Sequence, residues 1–191
     1  FSRLSGEWWD ENGRFKVLHQ IRPIRIQYIL NQLRNKNLKK LDILDVGCGG
    51  GLVSEPLSRL GANVTGVDFV ENNIKVAKFH SNKKNLNIKY FHKNIEKTKL
   101  KQNFDVIILF EVLEHLEDWR LFLLKIIGNL KKDGVIIIST INRNLIAKYT
   151  AIYIAENIIK WIPKGTHSYD KFIRPDEILN CIKNKDFILK N

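Results

Sequence analysis

The chain has 191 residues, of which 44% are hydrophobic, and it carries a formal charge of +12 with only two cysteines. Two cysteines, Cys48 and Cys181, exclude a disulfide framework and a zinc-binding spacing, and they favour a reducing, cytoplasmic compartment. No uncharged run reaches the roughly 20 residues that a membrane span needs, and no N-terminal stretch resembles a secretory signal. The length predicts one globular domain over residues 1–191.

Hydrophobic periodicity predicts alternating helices and strands. A helix is expected from about Pro23 to Arg34, with the proline in its first turn. The remaining elements are expected in chain order as strand 41–46, helix 52–60, strand 63–68, helix 71–82, strand 88–92, strand 104–110, helix 118–130 and strand 135–140. Strands joined through helices pair in parallel with right-handed crossovers. The pattern therefore predicts an α/β fold with a mostly parallel sheet flanked by helices.

The stretch from Leu44 to Leu52 joins the first strand to a glycine-rich turn and is the strongest sign of a ligand site. Glycines let the backbone approach a ligand closely, and the next helix offers unpaired N–H groups. A dinucleotide fingerprint starting at Gly47 needs glycine or alanine where Leu52 stands, so a nicotinamide cofactor is excluded. Asp45 begins a match to the D-x-G-x-G-x-G loop of Rossmann-like methyltransferases, whose glycines here are Gly47, Gly49 and Gly51. The match predicts S-adenosylmethionine, with Asp45 at its methionine end.

A second carboxylate supports this prediction independently. Asp68 ends the next apolar run, about 20 residues beyond the turn, where a ribose-binding carboxylate is expected. Ligands of open α/β sheets lie outside the carboxyl ends of the strands, where Phe110 and Asn142 are also expected. Three residues after the third strand are predicted to lie beside the adenine, with an ordinary polar loop as an equal alternative: Asn94, Ile95 and Glu96.

Two carboxylates and an imidazole follow the fourth strand. If residues 111–115 form a helical turn, then Glu111, Glu114 and His115 lie at i, i+3 and i+4 and share one face. Oxygen and nitrogen ligands of this kind suit magnesium, manganese or zinc, and a metal beside a phenol would lower the pKa of its oxygen. The alternative is a polar helix start with carboxylates in water, which is the usual place for them.

The sequence as a whole resembles the ubiquinone-biosynthesis O-methyltransferase family over essentially all of its length. The glycine loop is common to most S-adenosylmethionine enzymes, whereas the paired tryptophans, the E-x-x-E-H run and K-G-T-H in this order are far more specific. The resemblance is carried by Gly6–Asp10, Phe15–His19, Arg22–Arg25, Asp45–Gly51, Glu111–His115, Thr140–Asn144 and Pro163–His167.

This resemblance implies a class I S-adenosylmethionine-dependent methyltransferase fold. It implies methyl transfer to a phenolic hydroxyl on a polyprenylated ring, at two steps of ubiquinone synthesis. Cofactor contacts are implied for Arg25, Gly47, Asp68 and Phe110, and divalent-metal binding, with magnesium the favoured ion, for the 111–115 face. Family members continue beyond the position of Asn191 and supply the last strands of the sheet. Because the chain starts with Phe1 and contains no methionine, we expect a segment of a longer polypeptide.

The expected chemistry is an in-line displacement at the sulfonium methyl, in which the enzyme brings the phenolate oxygen to roughly 3 Å from the methyl carbon. The phenol must also lose its proton, either through a metal on the 111–115 face or to His115 as a direct general base. His167, inside K-G-T-H, is the alternative base, although a lone loop histidine is more often structural.

Residues 145–162 contain three charged side chains among eighteen residues, Lys148, Glu156 and Lys160. A buried core helix is one interpretation. The other is an inserted helical lid over the substrate, lying in the membrane interface and binding a polyprenyl tail. This second interpretation predicts peripheral membrane association, on the cytoplasmic side in bacteria or the matrix side in mitochondria, with other ubiquinone-biosynthesis enzymes as candidate partners.

The basic charge itself has three interpretations: a solvated surface, an anionic membrane surface, or nucleic acid. The first is favoured and nucleic acid is expected to be no partner, because the lysines are scattered among asparagine and isoleucine. Rival functions are a methyltransferase of RNA or a small acid, or a protein that binds the cofactor without catalysis. A D/N-P-P-Y/F signature would indicate amino-group methylation, but residues 110–113 read F-E-V-L.

Overall fold

A computed structural model of the chain describes residues 7–140, 173–183 and 187. The predicted lid at 145–162, together with Asn142 and His167, lies outside the described residues.

A five-stranded sheet organises the fold, in the strand order β3-β2-β1-β4-β5. The strands are β1 (Asp42–Val46), β2 (Asn63–Asp68), β3 (Lys89–His92), β4 (Phe104–Phe110) and β5 (Leu130–Ser139). The central strand β1 pairs in parallel with β2 on one side and with β4 on the other, and β2 pairs in parallel with β3. The predicted α/β fold is confirmed, and the strand order reverses direction beside β1, which is where open sheets of this kind bind ligands.

Strands β1, β2 and β4 are buried along most of their length. Residues 43–46 of β1 and 64–68 of β2 are all buried, and β4 is interrupted only by Asp105 and its last residue. Strands that are covered on both faces cannot alternate between apolar and polar side chains, which explains the continuous runs in the sequence.

Helices accompany the sheet, and five of them lie wholly within the described ranges. They are α1 (Lys16–Gln32), α2 (Ser54–Arg59), α3 (Glu71–Lys83), α4 (Trp119–Ile127) and α5 (Pro175–Ile182). Helix α2 packs on β2, α3 packs on β2 and β3, and α4 packs on α5. Short 3₁₀ turns lie at Leu38–Lys40 and Leu113–His115. None of the helices in the described part of the chain is long and apolar enough to cross a membrane.

Two predicted boundaries are wrong by at least five residues. Helix α1 begins at Lys16, so Pro23 lies inside it. This first half of the helix is held in place by His19, which is buried and whose Nε2 lies 2.9 Å from the Trp8 carbonyl oxygen. Strand β5 begins at Leu130, five residues early, because Lys131 reaches Asp42 and Asp105 with its ammonium at 2.6 and 2.9 Å. Contacts distant in sequence decide both boundaries.

The described chain forms two compact units. The first contains residues 1–109 and 128–137, which include β1 to β3 and most of β4 and β5. The second contains residues 110–127 and 138–191, which include the 3₁₀ turn after β4 and helices α4 and α5.

Candidate functional site

The turn after β1 has a backbone that only glycine adopts readily. Gly47, Gly49 and Gly51 have φ angles of 68°, 53° and 91°. This left-handed region costs a residue with a Cβ roughly 1–2 kcal/mol. The N–H groups of Gly47 and Cys48 donate to the Val67 carbonyl oxygen at 2.7 and 3.2 Å, which ties the turn to the end of β2. The alternating glycines are therefore required by the conformation of the turn.

Steric contact with Tyr90 adds a second requirement for glycine. A Cβ on Gly51 would lie 2.5 Å from the Tyr90 hydroxyl oxygen, and one on Gly66 would lie 2.6 Å from the ring of the same tyrosine. Tyr90 is 3% exposed, so it has little room to move away. Its burial also raises the pKa of its hydroxyl, which stays protonated. Cys48 packs in the same cluster, and burial raises the pKa of its thiol well above the usual range.

Asp45 is a buried carboxylate at the carboxyl end of β1. It is 3% exposed, and the Ser54 hydroxyl donates to its Oδ2 at 2.5 Å. Loss of hydration and repulsion from Asp68 raise the pKa of Asp45 to about 7, against the opposing effects of the Ser54 hydrogen bond and the Arg25 charge. The positive charge of Arg25, on helix α1, therefore lies close enough to influence this carboxyl.

Asp68 links three segments at the end of β2. Its Oδ2 accepts from the Gly49 N–H at 2.9 Å, and its Oδ1 accepts from the Val70 N–H at 2.7 Å and from Asn73 Nδ2 at 3.3 Å. Burial raises the pKa of Asp68, and these hydrogen bonds to its carboxylate partly oppose that rise. The carboxylate thus holds the glycine turn and the start of α3 together.

The loop after β3 lies at the same end of the sheet. The Lys93 N–H donates to the Asp68 carbonyl oxygen at 3.0 Å, which ties the start of this loop to the end of β2. Asn94 is exposed, and its side-chain oxygen accepts from the Glu96 N–H at 3.0 Å, while Ile95 is buried. The three residues predicted beside the adenine therefore follow directly on a residue that is hydrogen-bonded to the Asp68 backbone.

An aromatic segment before α1 covers the glycine turn. A Cβ on Gly49 would lie 2.5 Å from the Trp8 indole, and one on Gly50 would lie 2.6 Å from it. The Trp9 indole N–H donates to the Gly50 carbonyl oxygen at 3.2 Å. Gly50 is not among the described glycines with positive φ, so the indole, and not the turn, explains why this position is glycine.

The second unit has a different arrangement after β4, whose last residue is Phe110. Glu111 has a φ of 50°, and its Oε1 accepts from the Ser139 hydroxyl at 2.6 Å. Glu114 is 4% exposed within the 3₁₀ turn, whereas His115 at the end of that turn is exposed. The prediction that residues 111–115 form one helical face is wrong, because left-handed Glu111 stands outside the turn.

Comparison with known proteins decides the class. A family model described as a methyltransferase domain matches residues 17–188. The ubiquinone biosynthesis O-methyltransferase of Pelagibacter ubique is 44% identical over all of this chain and 82% of its own length. The enzyme of the same name from Rickettsia felis is 40% identical over all of this chain and 79% of its own length.

The chain belongs to the ubiquinone biosynthesis O-methyltransferase family. It is an S-adenosylmethionine-dependent O-methyltransferase.

Solved structures agree with the Rossmann-like methyltransferase fold of this O-methyltransferase. The magnesium protoporphyrin IX methyltransferase of Synechocystis PCC 6803 with bound SAH is 19% identical, with a TM-score of 0.70 over 93% of this chain and 77% of its own. A plantazolicin methyltransferase in complex with SAH is 20% identical, with a TM-score of 0.68 over 96% of this chain and 74% of its own.

The glycine turn of the O-methyltransferase fits S-adenosylmethionine. The sulfonium and ammonium groups of this molecule are cations and its ribose offers two hydroxyls, and the turn is bordered by the carboxylates Asp45 and Asp68. The predicted divalent metal fits less well. Within the described ranges, no group of three or more His, Cys, Asp or Glu side chains is placed to hold a metal ion.

Sequence reasoning missed several residues of this site. Gly50 was part of the glycine run without a reason of its own, and Gly66 and Tyr90 had no assigned role. The signal for Gly66 was present, because a glycine inside a strand often marks a close approach of another group. Nothing in the sequence pairs Tyr90 with the glycine turn, since this contact depends on the register of β3 against β2.

Proposed function

We propose that this O-methyltransferase methylates a phenolic hydroxyl on a polyprenylated ring, at both O-methylation steps of ubiquinone biosynthesis. The observation that carries the proposal is the similarity, at 44% identity over the whole chain, to an enzyme named for this pathway. A methyltransferase of RNA or of a small acid is disfavoured by the same similarity.

We assign the cofactor contacts by charge. Asp45 faces the ammonium end of the methionine, where an ionised carboxylate is needed, and Arg25 supplies positive charge for the methionine carboxylate. Asp68 accepts hydrogen bonds from the ribose hydroxyls in addition to the Gly49 N–H that it already holds. The glycine turn, including Gly47, Gly49 and Gly51, approaches the cofactor with bare backbone. Further contacts come from Asn94, Ile95, Glu96 and Phe110.

Bound S-adenosylmethionine supplies an electrophilic methyl carbon on its sulfonium. The protein must hold the phenolic oxygen in line with that carbon and remove the phenolic proton. His115 is our candidate base, since its imidazole is exposed and therefore open to a substrate. His167 is the alternative, from outside the described residues.

We propose that this proton transfer proceeds without the divalent ion that the family resemblance implies. Glu111 is engaged with Ser139, Glu114 is buried and His115 is exposed, so the three side chains do not converge in the described structure. The measurement is methylation in EDTA with metal analysis of the active protein. Full activity without metal would leave His115 as the direct base, whereas loss of activity restored by magnesium would return the 111–115 segment to a metal-binding role.

We also propose that the enzyme works at a membrane surface, cytoplasmic in bacteria or facing the mitochondrial matrix, where its substrate and other enzymes of the pathway are located. The formal charge of +12 supports attraction to anionic headgroups. Binding to vesicles containing anionic lipid should weaken as salt rises, because surface charges are screened. Salt-independent binding, or none, would contradict this part of the proposal.

The decisive experiment is transfer of a labelled methyl group to a panel of polyprenyl phenols, with RNA and small carboxylic acids in parallel. We expect label on the phenol oxygen of polyprenylated rings alone. His115→Gln should lower kcat without changing the affinity for S-adenosylmethionine. Label on RNA or on a carboxylate would replace this proposal, and binding without transfer to any substrate would indicate a non-catalytic protein.

A further inference from the structure

Glu55, His80 and Trp9 form a continuous chain of contacts beside the glycine turn. The His80 ring stacks on Trp9 with 3.7 Å between ring centroids and 9° between planes. On its other side, His80 Nδ1 lies 2.6 Å from Glu55 Oε1. Trp9 in turn donates to the Gly50 carbonyl oxygen. The three side chains therefore connect helices α2 and α3 to the middle of the glycine turn.

The far end of this chain is firmly anchored. Glu55 is 1% exposed, and Arg59 of the same helix lies 3.5 Å from its other carboxylate oxygen. A buried carboxylate is costly unless it is paired, so Glu55 holds the His80 ring in one orientation. A fixed ring orientation fixes the plane of the Trp9 indole that stacks on it.

Trp8 directly precedes Trp9, so the contacts that hold Trp9 also restrict Trp8. Its indole stacks on Phe15 with centroids 4.0 Å apart, and its carbonyl oxygen is hydrogen-bonded to His19. The same indole lies against Gly49 and Gly50. Two neighbouring tryptophans thus hold one face of the turn, while the Asp68 carboxylate holds the Gly49 N–H.

We propose that Glu55, His80 and Trp9 are positioning residues that hold the glycine turn in its ligand-binding conformation. They raise the affinity for S-adenosylmethionine without touching it. A turn with several left-handed residues has alternative conformations in the free protein, and restricting them lowers the entropy lost on binding. The proposal depends on cofactor binding by this family and is independent of which phenol is methylated.

The sharpest test is Trp9→Phe, which keeps an aromatic ring for His80 but removes the N–H that donates to Gly50. Loss of one hydrogen bond predicts a Kd for S-adenosylmethionine about threefold to tenfold higher by calorimetry. KM for the cofactor should rise with it, while kcat changes less than twofold. The matched control is Trp119→Phe on α4 in the second unit, which should leave the Kd unchanged.

His80→Gln tests the other half of the chain, since glutamine can still donate to Glu55 but cannot stack on Trp9. In a double-mutant cycle, Trp9→Phe and His80→Gln together should raise the Kd no more than the worse single variant. Both variants act through the Trp9–Gly50 hydrogen bond, which Trp9→Phe removes and His80→Gln weakens. Thermal unfolding without ligand is measured for every variant.

A lower melting temperature with an unchanged Kd would overturn the proposal and leave these residues a purely structural role. A tighter Kd in Trp9→Phe would also overturn it, because it would mean that the tryptophan segment competes with the ligand. Calorimetry needs no methyl acceptor, so failure to methylate polyprenyl phenols would not affect this result.

Discussion

Two regions of the molecule contain clustered carboxylates, and the hydrogen-bond partners of these carboxylates differ between the regions. In the first unit, Asp45 and Asp68 end neighbouring strands, and each accepts hydrogen bonds from groups of the glycine turn or the helix that follows it. In the second unit, Glu111 accepts from the Ser139 hydroxyl, and Glu114 is buried within a 3₁₀ turn. The first region brings two carboxylates to the glycine turn, and in the second Glu111 links the ends of β4 and β5 through Ser139.

The largest expected effect comes from adding one methyl group to the glycine turn. In Gly51→Ala the new Cβ meets the Tyr90 hydroxyl and the backbone keeps a left-handed conformation. We expect a loss of about 2–4 kcal/mol in the free energy of unfolding. Chemical denaturation and calorimetry with S-adenosylmethionine check this, and binding should become undetectable. The control is Gly128→Ala, because Gly128 is not among the described glycines with positive φ.

Asp45→Asn should have the next largest effect. It removes the negative charge while keeping the shape of the side chain and the contact with Ser54. A charge-assisted hydrogen bond is worth about 1.5–3 kcal/mol, which corresponds to a Kd for S-adenosylmethionine that is about 10- to 150-fold weaker. Asp42→Asn is the matched control at the other end of the same strand, where the carboxylate faces Lys131. Equal losses in both variants would remove Asp45 from the ligand site.

Acidity should modulate the first region. Because burial raises the pKa of Asp45 to about 7, the carboxyl is partly protonated near neutral pH. Affinity for the cationic ligand should increase as pH rises through about 7, and calorimetry in buffers of different ionisation enthalpy should show proton release.

The same carboxyl has the opposite effect on the stability of the free protein. A raised pKa means that the folded state keeps a proton that the unfolded chain releases near 4. This contribution to stability is complete below about pH 4 and is lost as pH rises through about 7. Asp45→Asn should flatten both pH profiles, and a wild-type slope in this variant would assign the titration to another group.

The smallest expected effect is in the second region. Ser139→Ala removes the 2.6 Å hydrogen bond to Glu111. We expect unfolding to become easier by about 1 kcal/mol, because one hydrogen bond is lost from a half-buried pair. The Kd for S-adenosylmethionine should stay within twofold of wild type. A larger change in Kd would mean that the second region also affects ligand binding, and that its role is not purely structural.

The same contrast explains what could be predicted from the sequence. Strands β2 and β4 begin and end where their apolar runs do, since strands buried on both faces leave a continuous signal. Gly47, Gly49 and Gly51 are recognisable because their backbone conformation demands glycine. The roles assigned to individual residues in cofactor binding and catalysis stay predictions.

The predictions that failed relied on local sequence patterns, which other features of the structure overrode. The 111–115 face was inferred from helical spacing, and a single left-handed residue, Glu111, removes that spacing. Pro23 reads as a helix start by local preference, but contacts of His19 extend the helix towards the N-terminus. Gly50 is explained by a tryptophan more than forty positions earlier in the chain, and local sequence carries no trace of such a contact.

The position of β1 in the sheet has a consequence for how the chain folds during synthesis. Ile43 pairs with Val64 on one side and with Val106 on the other. The first partner leaves the ribosome soon after β1, whereas the second arrives only after β3 and the lysine-rich loop that follows it. Until then one edge of the central strand is unpaired. Unpaired strand edges of nascent chains can aggregate unless a chaperone binds them. The slowest step towards a working enzyme is therefore expected to be the insertion of β4, long after the glycine turn itself has been made.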